Sequence, residues 1–125
     1  TPQDIALLDA RRGLKMFEKV NVPIIGIVEN MTTHICSNCG HEEHIFGKGG
    51  GEKMSADYGT LLLGSLPLDI SIRENLDNGT PSVSTNPNSQ ISKIYQSISQ
   101  KIAFKVSGLA EEHSGKFPKI VIKND

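Results

Sequence analysis

The chain has 125 residues, with 13 lysines and arginines against 14 aspartates and glutamates and a net charge of −1. This length fits one compact domain or part of a larger one, and a balanced charge without a long basic run argues against nucleic-acid binding. The apolar runs are too short to span a membrane and the first residues lack a signal-peptide pattern, so we expect neither membrane insertion nor secretion.

The first predicted element is an amphipathic helix. Thr1 is expected to cap it, Pro2 to occupy its first position and Asp4 to interact favourably with the helix dipole. One face is apolar and the opposite face is charged. The apolar face consists of Ala6, Leu7, Ala10, Gly13, Leu14, Phe17 and Val20. We therefore expect the helix to pack through one side on a flat surface.

A continuous apolar run over residues 22–28 predicts a strand covered on both faces, as in a parallel sheet. Helix followed by buried strand indicates an α/β fold. In open α/β sheets, ligands bind at the carboxyl ends of the strands, so Asn30 is placed where a ligand would bind. The alternative for Asn30 is a turn residue that bonds its own backbone.

Residues 31–46 form a polar loop that contains the only two cysteines of the chain, Cys36 and Cys39. Two thiols at this spacing, followed by Gly40, are typical of a metal knuckle that supplies half of a tetrahedral site. Either two nearby histidines complete the site within one chain, or two chains share four thiolates; the histidines are His34, His41 and His44.

The cysteine count is also informative about the compartment. One C-x-x-C pair is a poor disulfide framework and indicates metal or redox chemistry in a reducing compartment, for which the cytoplasm is the default. A thioredoxin-like role is disfavoured, because in that motif the pair opens a helix after a strand.

The glycine-rich stretch at residues 47–52 does not match a phosphate loop, because Glu52 and Lys53 stand where the second glycine and the lysine of the Walker A motif would be. We expect a flexible entry into a helix over residues 52–58, ended by Gly59. A second buried strand over residues 61–66 is closed by Pro67, and Asp69 then caps a short helix that stops near residues 78–79.

A connector at residues 80–88 leads to the last helix. Its apolar stripe, in which Tyr95 is a core residue, comprises Ile91, Ile94, Tyr95, Ile98, Ile102 and Val106. Residues 1–107 form the predicted domain and residues 108–125 a tail. Within the tail, the apolar residues 117–122 are either an added edge strand or a simple end.

Six blocks of the sequence together resemble the carboxyl-terminal half of the Mrp/ApbC family, whose members are P-loop ATPases that bind and transfer iron–sulfur clusters. These blocks are residues 1–7, 16–23, 26–31, 35–40, 45–50 and 66–74. The resemblance implies part of a P-loop NTPase-type, mostly parallel sheet flanked by helices. It also implies a homodimer, apo iron–sulfur proteins as recipients, and ATP with magnesium in the full-length protein.

The resemblance assigns roles only to matching positions. Cys36 and Cys39 would hold a 4Fe–4S cluster between two subunits, Asn30 would read the adenine base, and the turn Pro67-Leu68-Asp69 would line the same pocket. The family's phosphate loop and magnesium-binding residues would precede Thr1. They are not in this sequence, so we expect this chain alone not to hydrolyse ATP.

Two alternatives remain open at this point. The first is a zinc-binding module that uses Cys36, Cys39 and two of the three nearby histidines, since tetrahedral thiolate sites suit both metals. The second is a metal-free interaction domain in which the cysteines have no role.

Overall fold

The computed structural model describes residues 1–113, and it has an α/β architecture, as predicted. In chain order the elements are α1 (Asp4–Lys19), β1 (Ile27–Glu29), β2 (His34–Ile35), β3 (Glu42–Glu43), α2 (Gly50–Tyr58), β4 (Leu62–Ser65), α3 (Ile70–Asp77), α4 (Ser82–Thr85) and α5 (Gln90–His113). None of the helices in this part of the chain combines the length and apolar character needed to cross a bilayer.

The start of α1 differs from the prediction. The helix begins at Asp4 behind an extended Gln3, so Thr1 is not its cap and Pro2 is not its first residue. Pro2 is instead buried, and a Cβ added to Gly50 would lie 2.9 Å from its Cα. This close packing on α2 keeps the first residues outside the helix, while Asp4 lies in the first turn, as predicted.

The apolar face of α1 is only partly covered. Leu14 is buried, but Phe17 is 42% exposed and Val20 is 63% exposed. An apolar cavity of about 290 Å³ lies beneath this face, between α1 and β1. The stripe is therefore where the sequence predicted it, but the small sheet covers only the middle of it.

The parallel sheet consists of β1 and β4, paired as Ile27 with Leu62, Val28 with Gly64 and Glu29 with Ser65. The predicted first strand is thus shortened to its last part, because pairing begins only where the Ile27 amide donates to the Leu61 oxygen. Val28 is 42% exposed, so the expectation that both faces are covered is wrong at this residue. The second predicted strand is buried at Leu63 and Leu66, but Leu61 at its start is 49% exposed.

The main apolar cluster lies between β4 and α5. Leu63, Leu66 and Ile98 form its buried centre, and the partly buried residues packed on it are Ile25, Ile94, Tyr95 and Ile102. The α5 stripe and the core role of Tyr95 are therefore confirmed. Val106 is exposed, so the stripe ends before it.

The helix ends near β4 follow local sequence signals. Gly59 ends α2 in the left-handed conformation, with φ of 60°, and the Asp69 side chain caps α3 by accepting from the Ser71 amide. The predicted connector contains the short helix α4, which the sequence did not indicate. The last helix continues past residue 108, where a tail was predicted, and the apolar residues 117–122 lie outside the described residues.

Candidate functional site

The two cysteines lie at the tip of a small hairpin that the sequence analysis treated as an irregular loop. Its strands β2 and β3 are antiparallel, with His34 opposite Glu43 and Ile35 opposite Glu42. The turn closes through hydrogen bonds from the Cys36 amide to the His41 oxygen (2.9 Å) and from the Gly40 amide to the Cys36 oxygen (2.8 Å). The tip is therefore a defined turn.

Gly40 has the left-handed conformation that the knuckle motif predicts, with φ of 72°. Both cysteines are free thiols, Cys39 exposed and Cys36 partly exposed. The tip thus presents two sulfur ligands to the surface, within reach of a metal or of a partner molecule.

The pKa of the Cys36 thiol is lowered from its ordinary value. The largest cause is hydrogen bonding from the Cys39 backbone amide, followed by the Asn38 backbone amide and the Cys39 side chain. Burial and the negative charge of Glu43 act in the opposite direction, and the balance favours the thiolate. The thiolate is the form of cysteine that binds metals, so a lowered pKa is compatible with a ligand role at Cys36.

The three histidines do not join the cysteines. The Nδ1 atom of His34 lies 3.3 Å from the Leu68 oxygen, and the Nδ1 atom of His44 lies 2.9 Å from the Thr32 oxygen. His41 is exposed, and its Nε2 atom lies 3.7 Å from a Glu43 carboxylate oxygen. Across the described residues no three histidine, cysteine or acidic side chains come together as a metal site. The zinc site that one chain would build is therefore not assembled here.

The predicted nucleotide-binding residues lie below the hairpin, at the carboxyl ends of β1 and β4. Asn30 is exposed, and its side-chain oxygen accepts from the Met31 amide at 2.9 Å. This is the backbone contact predicted for Asn30 as a turn residue. It leaves the NH2 group of the Asn30 side-chain amide available. Asp69 is engaged as the cap of α3.

A continuous set of main-chain hydrogen bonds joins these strand ends to the hairpin. The Leu66 amide donates to Glu29, the Thr32 amide donates to Leu66, and the Leu68 amide donates to Thr33, at 2.7 to 3.0 Å. An isolated parallel bridge then pairs His34 with Leu68. The turn at Pro67 and the segment that leads to Cys36 are thus hydrogen-bonded neighbours.

The glycine-rich stretch before α2 has a steric role in the structure. Its helix begins at Gly50, two residues earlier than predicted, and both Gly50 and Gly51 are buried. A Cβ at Gly51 would lie 3.0 Å from the Glu29 Cβ and from the Leu62 Cδ1. A side chain at residue 51 would thus crowd Glu29 and Leu62, and the flexibility expected of this stretch stays a prediction.

The sequence analysis assigned no role to Glu29, the last residue of β1. Its side chain is buried and accepts a hydrogen bond from the Gly51 amide at 2.6 Å. The sequence did contain one sign of this contact, an acidic residue at the end of an apolar strand. A buried charge in that position needs a hydrogen-bond partner.

Comparison with known proteins places these features in one family. The model of the ParA family, described as NUBPL iron-transfer P-loop NTPase, matches residues 1–103. A protein of Pseudomonas fragi named iron-sulfur cluster carrier protein is 61% identical over 98 residues, which are 78% of this chain and 34% of that protein. A protein of Escherichia coli K12 with the same name is 59% identical over 103 residues, which are 82% of this chain and 28% of that protein.

A solved structure from Archaeoglobus fulgidus also matches, with a TM-score of 0.54 and 29% identity. It is described as a nucleotide-binding protein in complex with ADP, with cobalt found in it, and the match covers 64% of this chain and 33% of that one. The chain thus spans about a third of the length of the proteins it matches. By its sequence from Thr1 to Ala103 and by its α/β fold, the chain belongs to the ParA family of NUBPL-type iron-transfer P-loop NTPases.

Proposed function

We propose that this chain carries an iron–sulfur cluster on Cys36 and Cys39 and transfers it to apo-proteins, as part of a nucleotide-binding carrier. The observation that carries the proposal is the pair of free thiols at the tip of the hairpin, in a chain whose relatives are named iron-sulfur cluster carrier proteins. The cluster is cargo, and an exposed tip suits cargo because a recipient's ligands can reach it.

The number of ligands favours a cluster shared by two copies of the chain. An iron–sulfur cluster is commonly held by four thiolates, and each hairpin supplies two. Within the described residues no third ligand approaches Cys36 and Cys39. A homodimer with a twofold axis through the cluster completes the set, and a 4Fe–4S cluster is the cargo that the family resemblance implies.

The carboxyl ends of β1 and β4 are the proposed contact surface for the nucleotide base. Asn30 would read the adenine, and Pro67 and Asp69 would line the pocket. ADP in the Archaeoglobus fulgidus structure supports a nucleotide for the family fold. The sequence contains no Walker A motif, so binding of the phosphates of ATP and of magnesium is a property of the full-length carrier. We expect this chain to show no magnesium-dependent ATP turnover by itself.

The cytoplasm is the proposed location. Both thiols must stay reduced to bind a cluster, and a reducing compartment keeps them so.

Anaerobic reconstitution with ferrous iron and sulfide tests the proposal. We expect a brown dimer with visible charge-transfer absorption and one cluster for every two chains, measured by iron and sulfide content and by sedimentation. The cluster should then pass to an apo-ferredoxin, followed by the recovery of its own spectrum. A colourless monomer that holds one zinc ion per chain would overturn the proposal.

A further inference from the structure

Glu29 stands apart from the other ionisable residues of the chain. It is 6% exposed, and among the described residues it is the only ionisable side chain that is buried. A buried carboxylate is unfavourable unless hydrogen bonds or opposite charge compensate it, and an apolar residue would fill the same space without that requirement. The carboxylate therefore needs a specific explanation.

The Glu29 side chain takes the place of a missing helix cap. An N-cap residue normally accepts from one of the first amides of its helix through its own side chain. The N-cap of α2 is Gly49, which has no side chain and adopts φ of 75°. The Glu29 carboxylate, coming from β1, accepts from the Gly51 amide at 2.6 Å instead. A carboxylate at this end of a helix also interacts favourably with the helix dipole.

Glycine at position 51 makes this contact possible. A Cβ at Gly51 would lie 3.0 Å from the Glu29 Cβ and 3.2 Å from the Glu29 Cδ. With a larger residue the Glu29 side chain or the helix start would have to give way, which would disturb the hydrogen bond. The carboxylate and the glycine thus form a matched pair.

The pair connects the two proposed binding regions. The Glu29 main-chain oxygen accepts from the Leu66 amide at 2.8 Å, directly before Pro67, and Asn30 is the next residue along the chain. Residues 45–49, the exit leg of the hairpin, lead from His44 to the start of α2. The Glu29 side chain holds that start through its hydrogen bond to Gly51. One residue therefore fixes the exit leg relative to the strand ends.

We infer that Glu29 is a positioning residue: its carboxylate anchors the start of α2 and thereby holds the exit leg of the cysteine hairpin in register with the strand end that carries Asn30. The inference rests on the proposed function, because the hairpin matters as the support of the cluster. The carboxylate acts through the Gly51 amide and does not touch the cluster.

Two substitutions and two measurements test the anchor. Glu29→Ala removes the acceptor, and Glu29→Gln keeps an oxygen of the same reach. In the protein without cluster, we expect Glu29→Ala to speed hydrogen exchange of the Gly51 amide by about tenfold or more, since a hydrogen bond to a charged group is lost. In the protein with cluster, we expect faster loss of the cluster to a chelator. Glu29→Gln should move both rates back towards the wild-type values, because it keeps the acceptor oxygen but not the charge.

Ser92→Ala is the matched control for lost stability. The Ser92 side chain is fully buried, and its Oγ atom lies within hydrogen-bond distance of the Ser82 oxygen (2.9 Å) and the Asn86 oxygen (2.7 Å), away from the hairpin. The Ser92→Ala substitution should lower the unfolding midpoint without changing the rate of Gly51 amide exchange or the rate of cluster loss. Unchanged Gly51 exchange in Glu29→Ala, or cluster loss no faster than in Ser92→Ala, would overturn the inference. If the wild type takes up no cluster, the proposed function fails, and the exchange measurement alone then decides whether Glu29 is the anchor.

Discussion

The Nδ1 atom of His44 lies 2.9 Å from the main-chain oxygen of Thr32. Thr32 precedes β2 and His44 follows β3, so this contact closes the base of the cysteine hairpin. The Nδ1 atom of His34 lies 3.3 Å from the Leu68 oxygen and so joins the same base to the Pro67 turn. Both imidazoles thus contact main-chain oxygens of the hairpin and its support.

Replacing the three histidines tests their exclusion from the metal site. We expect the triple variant His34→Ala, His41→Ala, His44→Ala to take up the same amount of iron and sulfide per chain as the wild type, because the proposed ligands are thiolates. Iron and sulfide content after reconstitution measures this directly. Because His34 and His44 also contact the main chain at the hairpin base, His41→Ala alone is the matched control. Loss of the metal in both the triple variant and His41→Ala would favour imidazole ligands and the zinc site.

Replacing Cys36 should separate the binding site from the fold. We expect Cys36→Ala to abolish cluster uptake and dimer formation together, since one chain then supplies a single thiolate to a site that needs two from each. The far-ultraviolet circular dichroism spectrum should stay close to that of the wild type, because the hairpin tip lies outside the apolar core between β4 and α5. Ser37→Ala, at the same tip, is the control and should retain both cluster and dimer.

The lowered pKa of Cys36 predicts a specific pH profile for alkylation. A lowered pKa means that the thiolate persists to lower pH, and the thiolate is the form that reacts. In the cluster-free protein, the reaction of Cys36 with iodoacetamide should reach half its maximal rate at a lower pH than in an unstructured peptide of residues 35–38, measured site by site by mass spectrometry.

Glu43→Gln refines this test. The Glu43 charge raises the pKa of Cys36, so its removal should shift the alkylation profile to still lower pH. A shift to higher pH would show that the Glu43 charge does not raise the pKa of Cys36.

Features that depend on local chemistry could be predicted from the sequence. Asp69 caps its helix and Gly59 ends its helix because each uses atoms within a few residues. The α5 stripe was predicted because a 3.6-residue period is visible without knowledge of its partner. The cysteine pair was singled out because its spacing is typical of a metal knuckle, and its role as a metal site stays a prediction.

Features that depend on distant packing could not be predicted. Thr1 failed as a cap because Pro2 packs against Gly50, far along the chain. The hairpin was missed because two-residue strands such as Glu42–Glu43 carry no alternation of apolar and polar residues. The role of Glu29 was missed because its partner, the Gly51 amide, has no side-chain signature in the sequence.

Two glycine substitutions should change stability in opposite directions. Gly13 lies within α1 with nothing within 4 Å of an added Cβ, so Gly13→Ala should stabilise the protein by about 0.5–1 kcal/mol through helix propensity. A Cβ at Gly26 would lie 2.7 Å from the Leu61 oxygen, a backbone atom, so Gly26→Ala should destabilise. Urea unfolding measures both, and equal midpoints would contradict the packing described for β1.

Asp69 offers a test that separates a structural from a nucleotide-binding role. Its Oδ1 atom accepts from the Ser71 amide at 2.8 Å and from the Ser71 hydroxyl at 2.5 Å. We expect Asp69→Ala to lower the free energy of unfolding by about 1 kcal/mol, since an N-cap is lost, and Asp69→Asn to retain most of it because asparagine is also a good cap. Asp77→Ala, at the other end of α3, removes only an exposed ion pair with Arg73 and should change stability little. If Asp69→Ala unfolds at the same urea concentration as Asp77→Ala, the cap does not stabilise α3, and its structural role is contradicted.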